Sequence, residues 1–287
     1  MDIHSEKEGL RDRVGLGWRP EIGVDIFEKL DEIDIIEVLA ENCTHLNNSK
    51  LKAFSRLRNQ VDVVVHALSL GLASTYAVSS VHLEQVARVI NAIEPEAWSE
   101  HLAFVRTKDA ELGHLAAPPW SEETIESTLI NIQKATQTIG SVPHLENIAT
   151  LYQPVGSTMS EADWTTGIIR GAEGKFLLDL ENIYANCRNF KTDYFIEMLK
   201  FPLSDVGYVH IAGGQEVSDA SGSYFLDDHM HPVSEDVFAM LEELAFRVPQ
   251  PLTVILERDG NYPKFEQTNS ELTQARKALA RGRQRRK

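Results

Sequence analysis

Six short apolar runs of the sequence end, or almost end, in a histidine or a carboxylate, the side chains that bind many metal ions in proteins. These residues are His66, His101, Glu146, Asp179, His210 and Glu257. The amide of Asn182 lies just beyond Asp179, and Asp227 and His229 lie on a long polar segment before the last run. Nitrogen and carboxylate ligands without thiolate suit iron, manganese or zinc. The pattern therefore predicts a polynuclear metal site.

The prediction depends on the joint placement of these residues. Any one such histidine is more often a hydrogen-bonded core or surface residue than a metal ligand. Repeated placement at the ends of separate apolar runs favours the metal site. Asp228 and His231 lie in the same segment as Asp227 and His229 and are alternatives to them.

Eight apolar or β-branched runs alternate with helical patterns, which is typical of parallel strands joined by crossover helices. The predicted strands cover residues 13–18, 33–38, 61–66, 97–101, 142–146, 176–180, 206–211 and 252–257. The predicted helices cover residues 22–31, 49–58, 80–93, 121–138, 160–170, 191–199, 234–246 and 266–280. Eight such units predict an α/β fold of the (β/α)8 TIM barrel type, because closure leaves no exposed sheet edge. The polar residues at the ends of these runs then meet at the barrel mouth, where the active sites of TIM-barrel enzymes lie.

Composition narrows the class of protein. The 287 residues include 28 basic and 43 acidic side chains, and the net charge of −15 argues against a nucleic-acid surface. Two cysteines, no signal segment and no long apolar run predict a cytoplasmic protein that is not in a membrane. We expect one metal-binding barrel domain over residues 1–280. Residues 281–287, RGRQRRK, are expected to be a disordered basic tail.

Three further residues are candidates for catalysis. Glu41 follows the second strand and either orients a ligand or substrate or is a solvated loop carboxylate. Arg258 and Asp259 follow Glu257 directly, and because adjacent strand residues face opposite sides, one of these three must point away from the barrel axis. Asp259 is interpreted as a base or as a residue that orients a ligand, and an ion pair with Arg258 is the structural alternative.

The ordered motifs resemble those of the multinuclear non-haem iron-dependent oxidative enzymes. The resemblance runs from residue 15 to residue 263 and rests on GLGWRPE, IEVLAEN, VVHALSLGL, SEHLAF, LEN, LLDLENIYAN, YVHIAGG, DDH and LERD. It implies a xylose isomerase-like barrel whose metal ligands are His66, His101, Glu146, Asp179, Asn182, His210, Asp227, His229 and Glu257. GLGWRPE and SEHLAF are most similar to the branch that contains the 3-thiaglutamate biosynthesis enzyme.

The resemblance also implies a reaction. Its cofactor would be two or three iron ions in a mixed Fe(II)/Fe(III) state, with O2 as co-substrate. Its substrate would be a cysteine of a ribosomally made precursor peptide, and a small partner protein would recognise the peptide leader. The implied outcome is four-electron oxidation with excision of the cysteine β-carbon, and oxazolone or thioamide formation is the alternative within the family.

Two other classes of function remain open. A divalent-metal isomerase or phosphoesterase on the same barrel would polarise a sugar or orient a hydroxide, and it would need no oxygen. A peptide-binding scaffold with structural metals would bind a peptide tightly and form no product. Oxygen consumption in the presence of a peptide separates these classes.

Overall fold

A closed barrel of parallel strands organises the chain. The computed structural model describes residues 11–107, 110–219 and 222–286. Its strands are β1 (Arg13–Trp18), β2 (Ile35–Leu39), β3 (Asp62–Ala67), β4 (Trp98–His101), β5 (Phe104–Arg106), β6 (Glu111–Ala116), β7 (His144–Glu146), β8 (Lys175–Asp179), β9 (Val206–Ile211), β10 (Gln215–Asp219), β11 (Gly222–Leu226) and β12 (Thr253–Leu256). The barrel runs β1-β2-β3-β4-β7-β8-β9-β12 and closes by pairing of β12 with β1, all in parallel. This confirms the predicted TIM barrel.

Helices follow the barrel strands and cover them. They are α1 (Gly23–Glu28), α2 (Ala40–Cys43), α3 (Asn48–Leu57), α4 (Ser80–Ile93), α5 (Glu122–Ile139), α6 (Glu161–Gly171), α7 (Leu180–Phe190), α8 (Tyr194–Met198), α9 (Glu235–Arg247) and α10 (Phe265–Arg285). Four begin at a serine whose hydroxyl accepts a hydrogen bond from a first-turn N–H: Ser79, Ser121, Ser160 and Ser234. These caps fix where the helices start, because they satisfy amides that have no partner within the helix. Among the described helices, none has both the length and the apolar character that a membrane span requires.

The barrel strands alternate between two apolar layers. On β3, Val63 and Val65 pack in the large cluster formed with the helices, whereas Val64 belongs to a separate five-residue cluster drawn from five barrel strands. Because successive side chains of a strand point to opposite faces, the small cluster fills the barrel interior. A methyl group at Gly15 would lie 1.8 Å from the carbonyl oxygen of Ile35, so the close approach of β1 to β2 requires glycine there.

Two antiparallel hairpins interrupt the barrel units. β5 pairs with β6 directly after β4, and β10 pairs with β11 directly after β9. They occupy the stretches 104–120 and 212–233, which the sequence pattern indicates only as long irregular segments. Both hairpins follow the carboxyl ends of barrel strands, so they stand at the mouth.

The structure corrects two expectations about helices. The sequence pattern predicts one helix at 191–199 after β8, but two helices follow this strand, α7 at Leu180–Phe190 and α8 at Tyr194–Met198. Helix α7 begins at once because the Asp179 side chain accepts a hydrogen bond from the backbone N–H of Asn182. The expectation of a disordered tail is wrong for residues 281–285, which continue α10. Arg283 donates hydrogen bonds to Asp12 and to the Gln250 carbonyl, each with a 2.7 Å contact. Carboxylates and carbonyls therefore hold the basic segment in place. Residues 1–10 and 287 of the two predicted segments lie outside the described residues.

Candidate metal centre

Six predicted ligands meet at the carboxyl end of the barrel. His66 lies on β3, His101 ends β4, Glu146 ends β7, Asp179 ends β8, His210 lies on β9, and Glu257 follows β12. The strand register brings neighbours side by side, with His101 opposite Glu146 and Asp179 opposite His210. All six side chains are buried. The parallel barrel thus gathers residues that are far apart in the sequence at one end.

Glu146 lies at the centre of this cluster. One of its oxygens, Oε2, is 3.4 Å from His66 Nε2 and 3.5 Å from His101 Nε2. The other, Oε1, is 3.3 Å from His210 Nδ1. Two groups of ligand atoms, each within 4.8 Å of one another, therefore share Glu146: His66, His101 and Glu146, and Glu146, Asp179, His210 and Glu257. If both groups held a metal ion, Glu146 would contribute a donor atom to each.

The three remaining predicted ligands line the same cavity. The contact between His229 Nε2 and Asp227 Oδ1 is 2.7 Å, and His229 Nδ1 is 3.4 Å from Glu257 Oε2. Asn182 donates its amide N–H to the Asn147 carbonyl, and its buried Oδ1 has no hydrogen-bond partner. All three residues border a cavity of about 650 Å³ together with His66, His101, Glu146 and Glu257. The cavity therefore contains further nitrogen and oxygen donor atoms beside the two groups.

Buried donor atoms without hydrogen-bond partners test whether these residues suit a metal. Such atoms include His66 Nε2, Glu146 Oε2, Asp179 Oδ2, Asn182 Oδ1 and His210 Nδ1. Each unpaired buried polar atom costs about 1–3 kcal/mol, so proteins rarely collect them in one place. Cations ligated by nitrogen and oxygen would satisfy all of them. The donor set therefore fits a metal centre.

Other side chains fix the orientation of the ligand histidines. Ser99 Oγ lies 2.8 Å from His66 Nδ1, and Glu37 Oε2 lies 3.0 Å from His210 Nε2. A hydrogen bond to one ring nitrogen leaves the other nitrogen free to bind a metal. Sequence reasoning did not assign either residue. The signal for Glu37 was a single carboxylate inside an otherwise apolar strand.

Burial and neighbouring charges raise the pKa of some residues in the cluster and lower the pKa of others. Burial raises the pKa of Asp179 well above its ordinary value, and the Glu146 and Asp227 carboxylates add to this effect. Burial opposes protonation of His101, but Glu146 and Glu100 outweigh it and raise its pKa to about 9. For Glu257, burial is outweighed by His210 and His229, which hold its pKa well below the usual range. The cluster is rich in negative charge that cations would neutralise.

A buried arginine completes the rim of the cavity. Arg19 is 3% exposed and donates from Nε and Nη2 to Asp259 Oδ1 at 2.9 and 2.6 Å. Its Nη2 is 3.9 Å from Glu257 Oε1. Among the described residues that line the cavity, Arg19 is the only arginine or lysine. The sequence pattern indicates only a turn for GLGWRP, so this role was missed.

The structure separates the three predicted catalytic residues. Asp259 lines the cavity, where its Oδ2 lies 3.2 Å from His229 Nδ1. Arg258 points away and forms two hydrogen bonds with Glu271 of α10, at 2.8 and 3.0 Å, so a catalytic role for Arg258 does not agree with its position. Its ion pair is with Glu271 rather than with Asp259.

Glu41 has a supporting position. Its Oε1 accepts hydrogen bonds from the backbone N–H groups of Leu68 and Ser69, both at 2.9 Å. These amides belong to the segment just after β3, which carries His66. Glu41 thus fixes the backbone of Leu68 and Ser69, which line the cavity. Glu41 is not one of the described residues that line it.

The fold and site define a class: a TIM barrel with a candidate polynuclear metal centre at its mouth. The D-psicose 3-epimerase of Clostridium cellulolyticum H10 has a similar fold, with a TM-score of 0.61 over 96% of this chain and 99% of that one at 10% identity. A xylose isomerase domain protein of Planctomyces limnophilus gives a TM-score of 0.56 over 96% and 99% of the two chains at 14% identity. At such identities the likeness shows the fold alone.

Sequence comparison gives the family. Residues 13–280 match the family described as RiPP precursor modification enzyme MbnB/TglH/ChrH, where RiPP denotes a ribosomally synthesised and post-translationally modified peptide, and the chain belongs to this family. A UPF0276 protein of Bordetella bronchiseptica is 28% identical, covering 96% of this chain and 95% of its own. A UPF0276 protein of Streptomyces avermitilis is 33% identical over 92% of this chain, which spans only 54% of that relative. The resemblance found in the motifs is confirmed.

Proposed function

We propose that the protein is an iron-dependent enzyme that uses O2 to oxidise a cysteine of a ribosomally made precursor peptide. The observation that carries the proposal is the position of Glu146, whose two oxygens face two groups of donor atoms. Membership of a family that modifies precursor peptides supports a peptide substrate. The motif resemblance favours four-electron oxidation with excision of the cysteine β-carbon, and oxazolone or thioamide formation is the alternative outcome.

Nine residues would hold the iron. They are His66, His101, Glu146, Asp179, Asn182, His210, Asp227, His229 and Glu257, and the motif resemblance implies two or three ions in a mixed Fe(II)/Fe(III) state. When bound, iron supplies the one-electron and O2 chemistry that protein side chains lack. The absence of thiolate donors within this set leaves a substrate cysteine as the soft ligand.

Asp259 is assigned a positioning role. Its carboxylate is held between Arg19 and His229, and its backbone N–H donates to the His229 carbonyl at 3.0 Å. Burial is outweighed by the His229 hydrogen bond and the Arg19 charge, so its pKa lies below the ordinary value. A carboxylate with a low pKa is a weak base. Asp259 therefore directs Nε2 of His229 towards Asp227.

The mouth of the barrel supplies the substrate site. Val105, Glu111, His114 and Leu115 of hairpin β5–β6 form one wall of the 650 Å³ cavity, with Asp227 beside the other hairpin. The volume accommodates a few residues of an extended peptide. A small partner protein that recognises the peptide leader would present the remainder.

The test combines metal analysis with product analysis. The protein is purified without oxygen, its iron is measured, and it is then exposed to air with the cysteine peptide encoded beside its gene. We expect iron in the protein, O2 consumption coupled to product, and a mass change located at the cysteine. The matched peptide with serine in place of cysteine should bind and remain unmodified, because a serine hydroxyl is a poor anionic ligand at neutral pH. Equal conversion of the serine peptide contradicts the proposal.

The similar epimerase folds support one alternative, a divalent-metal sugar isomerase. It would use the carboxylates and histidines of the same mouth without O2. Anaerobic turnover of a ketose such as D-psicose, together with inertness towards the peptide, would favour it. A scaffold that binds peptide without forming product is the third outcome.

A further inference from the structure

A second cavity of about 470 Å³ lies beside the metal cavity. It is bordered by the segment that joins β7 to α6 and by helices α7 and α8. On α7, Asn182 lines the metal cavity and the next residue, Ile183, lines the second one. On the β7–α6 segment, Ala149 lines the metal cavity and Gln153 lines the second one. The same two elements therefore border both cavities.

The segment between Ala149 and Gln153 is fixed and exposes apolar groups. Asn186 of α7 accepts a hydrogen bond from the Thr150 N–H at 2.6 Å and donates to the Ile148 carbonyl at 3.0 Å. Leu151 and Tyr152 are nevertheless 51% and 75% exposed. Large apolar side chains held in solvent by a fixed backbone indicate a contact surface. This surface lies on the path from one cavity to the other.

The second cavity has the chemistry of a site for a basic side chain. Trp120 and Phe201 are apolar walls, against which an aliphatic stem can pack. Glu161 has one long hydrogen bond, 3.4 Å from Asn186 Nδ2, and no cation paired with it among the described residues. Glu197, by contrast, is neutralised by Lys200 at 2.7 Å. Burial without a counter-charge raises the pKa of Glu161 to about 8, and a cation bound beside it would favour the ionised carboxylate.

We propose that this second cavity binds a lysine or arginine side chain of the peptide substrate while the reacting residue occupies the metal cavity. The peptide between them crosses Leu151 and Tyr152. Ala149 and Gln153 are four residues apart, which spans at most about 14 Å, so an extended peptide bridges the cavities with about four residues or fewer. The inference rests on the peptide substrate of the proposed function.

The experiment measures binding with synthetic probes and needs no turnover. Two acetylated nonapeptides of alanine and serine carry a central cysteine, with lysine four residues before it in one and four residues after it in the other. In matched peptides norleucine replaces lysine, which removes the charge and keeps the stem. Dissociation constants are measured by anaerobic titration of the iron-loaded protein. Glu161→Gln is compared with Glu122→Gln, because both residues are the first of their helices and Glu122 is exposed and lines neither cavity.

The expected result is a charge preference that depends on Glu161. At least one lysine peptide should bind about fivefold more tightly than its norleucine counterpart, and the preference should vanish in Glu161→Gln and persist in Glu122→Gln. Tyr152→Ser should weaken the lysine and norleucine peptides equally. A missing preference in the wild-type protein, or one that survives Glu161→Gln, overturns the inference.

Exposure of the same samples to air separates this inference from the proposed function. If the lysine and norleucine peptides bind with equal affinity and both are oxidised, the second site is contradicted and the proposed function is supported. Glu161-dependent binding without oxidation supports the second site. The function is then decided by the encoded precursor peptide with its partner protein, because the nonapeptides carry no leader for that protein to recognise.

Discussion

Both ends of the barrel carry polar side chains. At one end these groups form hydrogen bonds with one another, and at the other end several of them have no partner. At the amino-terminal end, Arg13 donates to Thr253 at 3.0 Å, to Asp62 at 2.7 Å and to both oxygens of Glu96. The Tyr208 hydroxyl adds a hydrogen bond of 2.8 Å to Glu96. At the carboxyl-terminal end, several buried donor atoms of the candidate ligands lie close together and have no hydrogen-bond partner, among them His66 Nε2, Glu146 Oε2 and Asp179 Oδ2.

The contrast separates a structural network from a binding site. A satisfied network stabilises the folded state modestly, because each hydrogen bond that replaces one to water contributes a net of about 0.5–1.5 kcal/mol. An unsatisfied buried cluster costs folding free energy that only a bound species returns. The amino-terminal network therefore closes the barrel, and the mouth is arranged for cations.

The largest expected effect comes from replacing one histidine at each end. His66→Ala should lose bound iron and reduce turnover at least about 100-fold with the barrel still folded, because directly bound ligands dominate metal affinity. His144→Ala, at the other end of the barrel, should keep its iron. Metal analysis and circular dichroism on both variants check this. Asp179→Ala should behave like His66→Ala, and full iron content in either mouth variant would remove the ligand assignment.

The second prediction concerns stability. Arg13→Ala should lower the free energy of unfolding by about 1–2 kcal/mol, because it removes the hydrogen bonds of a partly buried guanidinium while water solvates the half-exposed Glu96 and Asp62. Urea unfolding of the variant and the wild type measures the loss. Iron content per folded molecule should not change. An Arg13→Ala protein with the wild-type free energy of unfolding but no bound iron would show that Arg13 affects metal binding at the opposite end of the barrel.

The third prediction sharpens the role of Asp259. Asp259→Asn should weaken binding of one metal equivalent about tenfold, because His229 loses a charged partner that orients its ring. Titration of metal into chelator-treated protein should show this change in one class of site. If all equivalents weaken together, or none does, Asp259 does not act through His229.

The smallest effect is a pH dependence at the amino-terminal end. Burial and the nearby Lys175 lower the pKa of His144 to about 4. The unfolded chain takes up this proton near pH 6.5 and the folded protein only near pH 4, so stability is lost as the pH falls through this range. The loss should be about 1–2 kcal/mol between pH 7 and pH 5 and should be absent in His144→Gln. Unfolding curves at both pH values measure it, and parallel losses in the two proteins would contradict it.

Much of the fold was predictable because the barrel strands are locally encoded. Each is a short β-branched or apolar run, and the observed bounds lie within two residues of the predicted ones. A polar residue at the end of such a run was enough to place His66, Glu146 and Asp179 at the mouth. Helix α7 was missed although Leu180, Ile183, Tyr184 and Cys187 have helical spacing. Its first residue, Leu180, continues the apolar run of β8, and only the hydrogen bond from the Asn182 N–H to the Asp179 side chain shows that the helix begins there.

The remaining errors come from contacts between distant residues. Because successive side chains of a strand face opposite sides, Glu257, Arg258 and Asp259 cannot all face inward. Only the position of Glu271 on α10 shows that Arg258 is the one that faces outward. The basic segment is ordered because Arg283 reaches Asp12, 271 residues away in the sequence. Arg19 was missed for the same reason, since its partner Asp259 is 240 residues away.

The seam between β1 and β12 has a consequence for how the protein is made. Arg13 lies opposite Thr253, 240 residues later in the chain, and Glu257 follows directly after β12. Closing such a long loop is slow relative to local folding. A nascent chain therefore exposes His66, His101 and Glu146 well before Glu257 has been synthesised. The complete set of donors forms only when the seam closes, so full metal loading must follow translation.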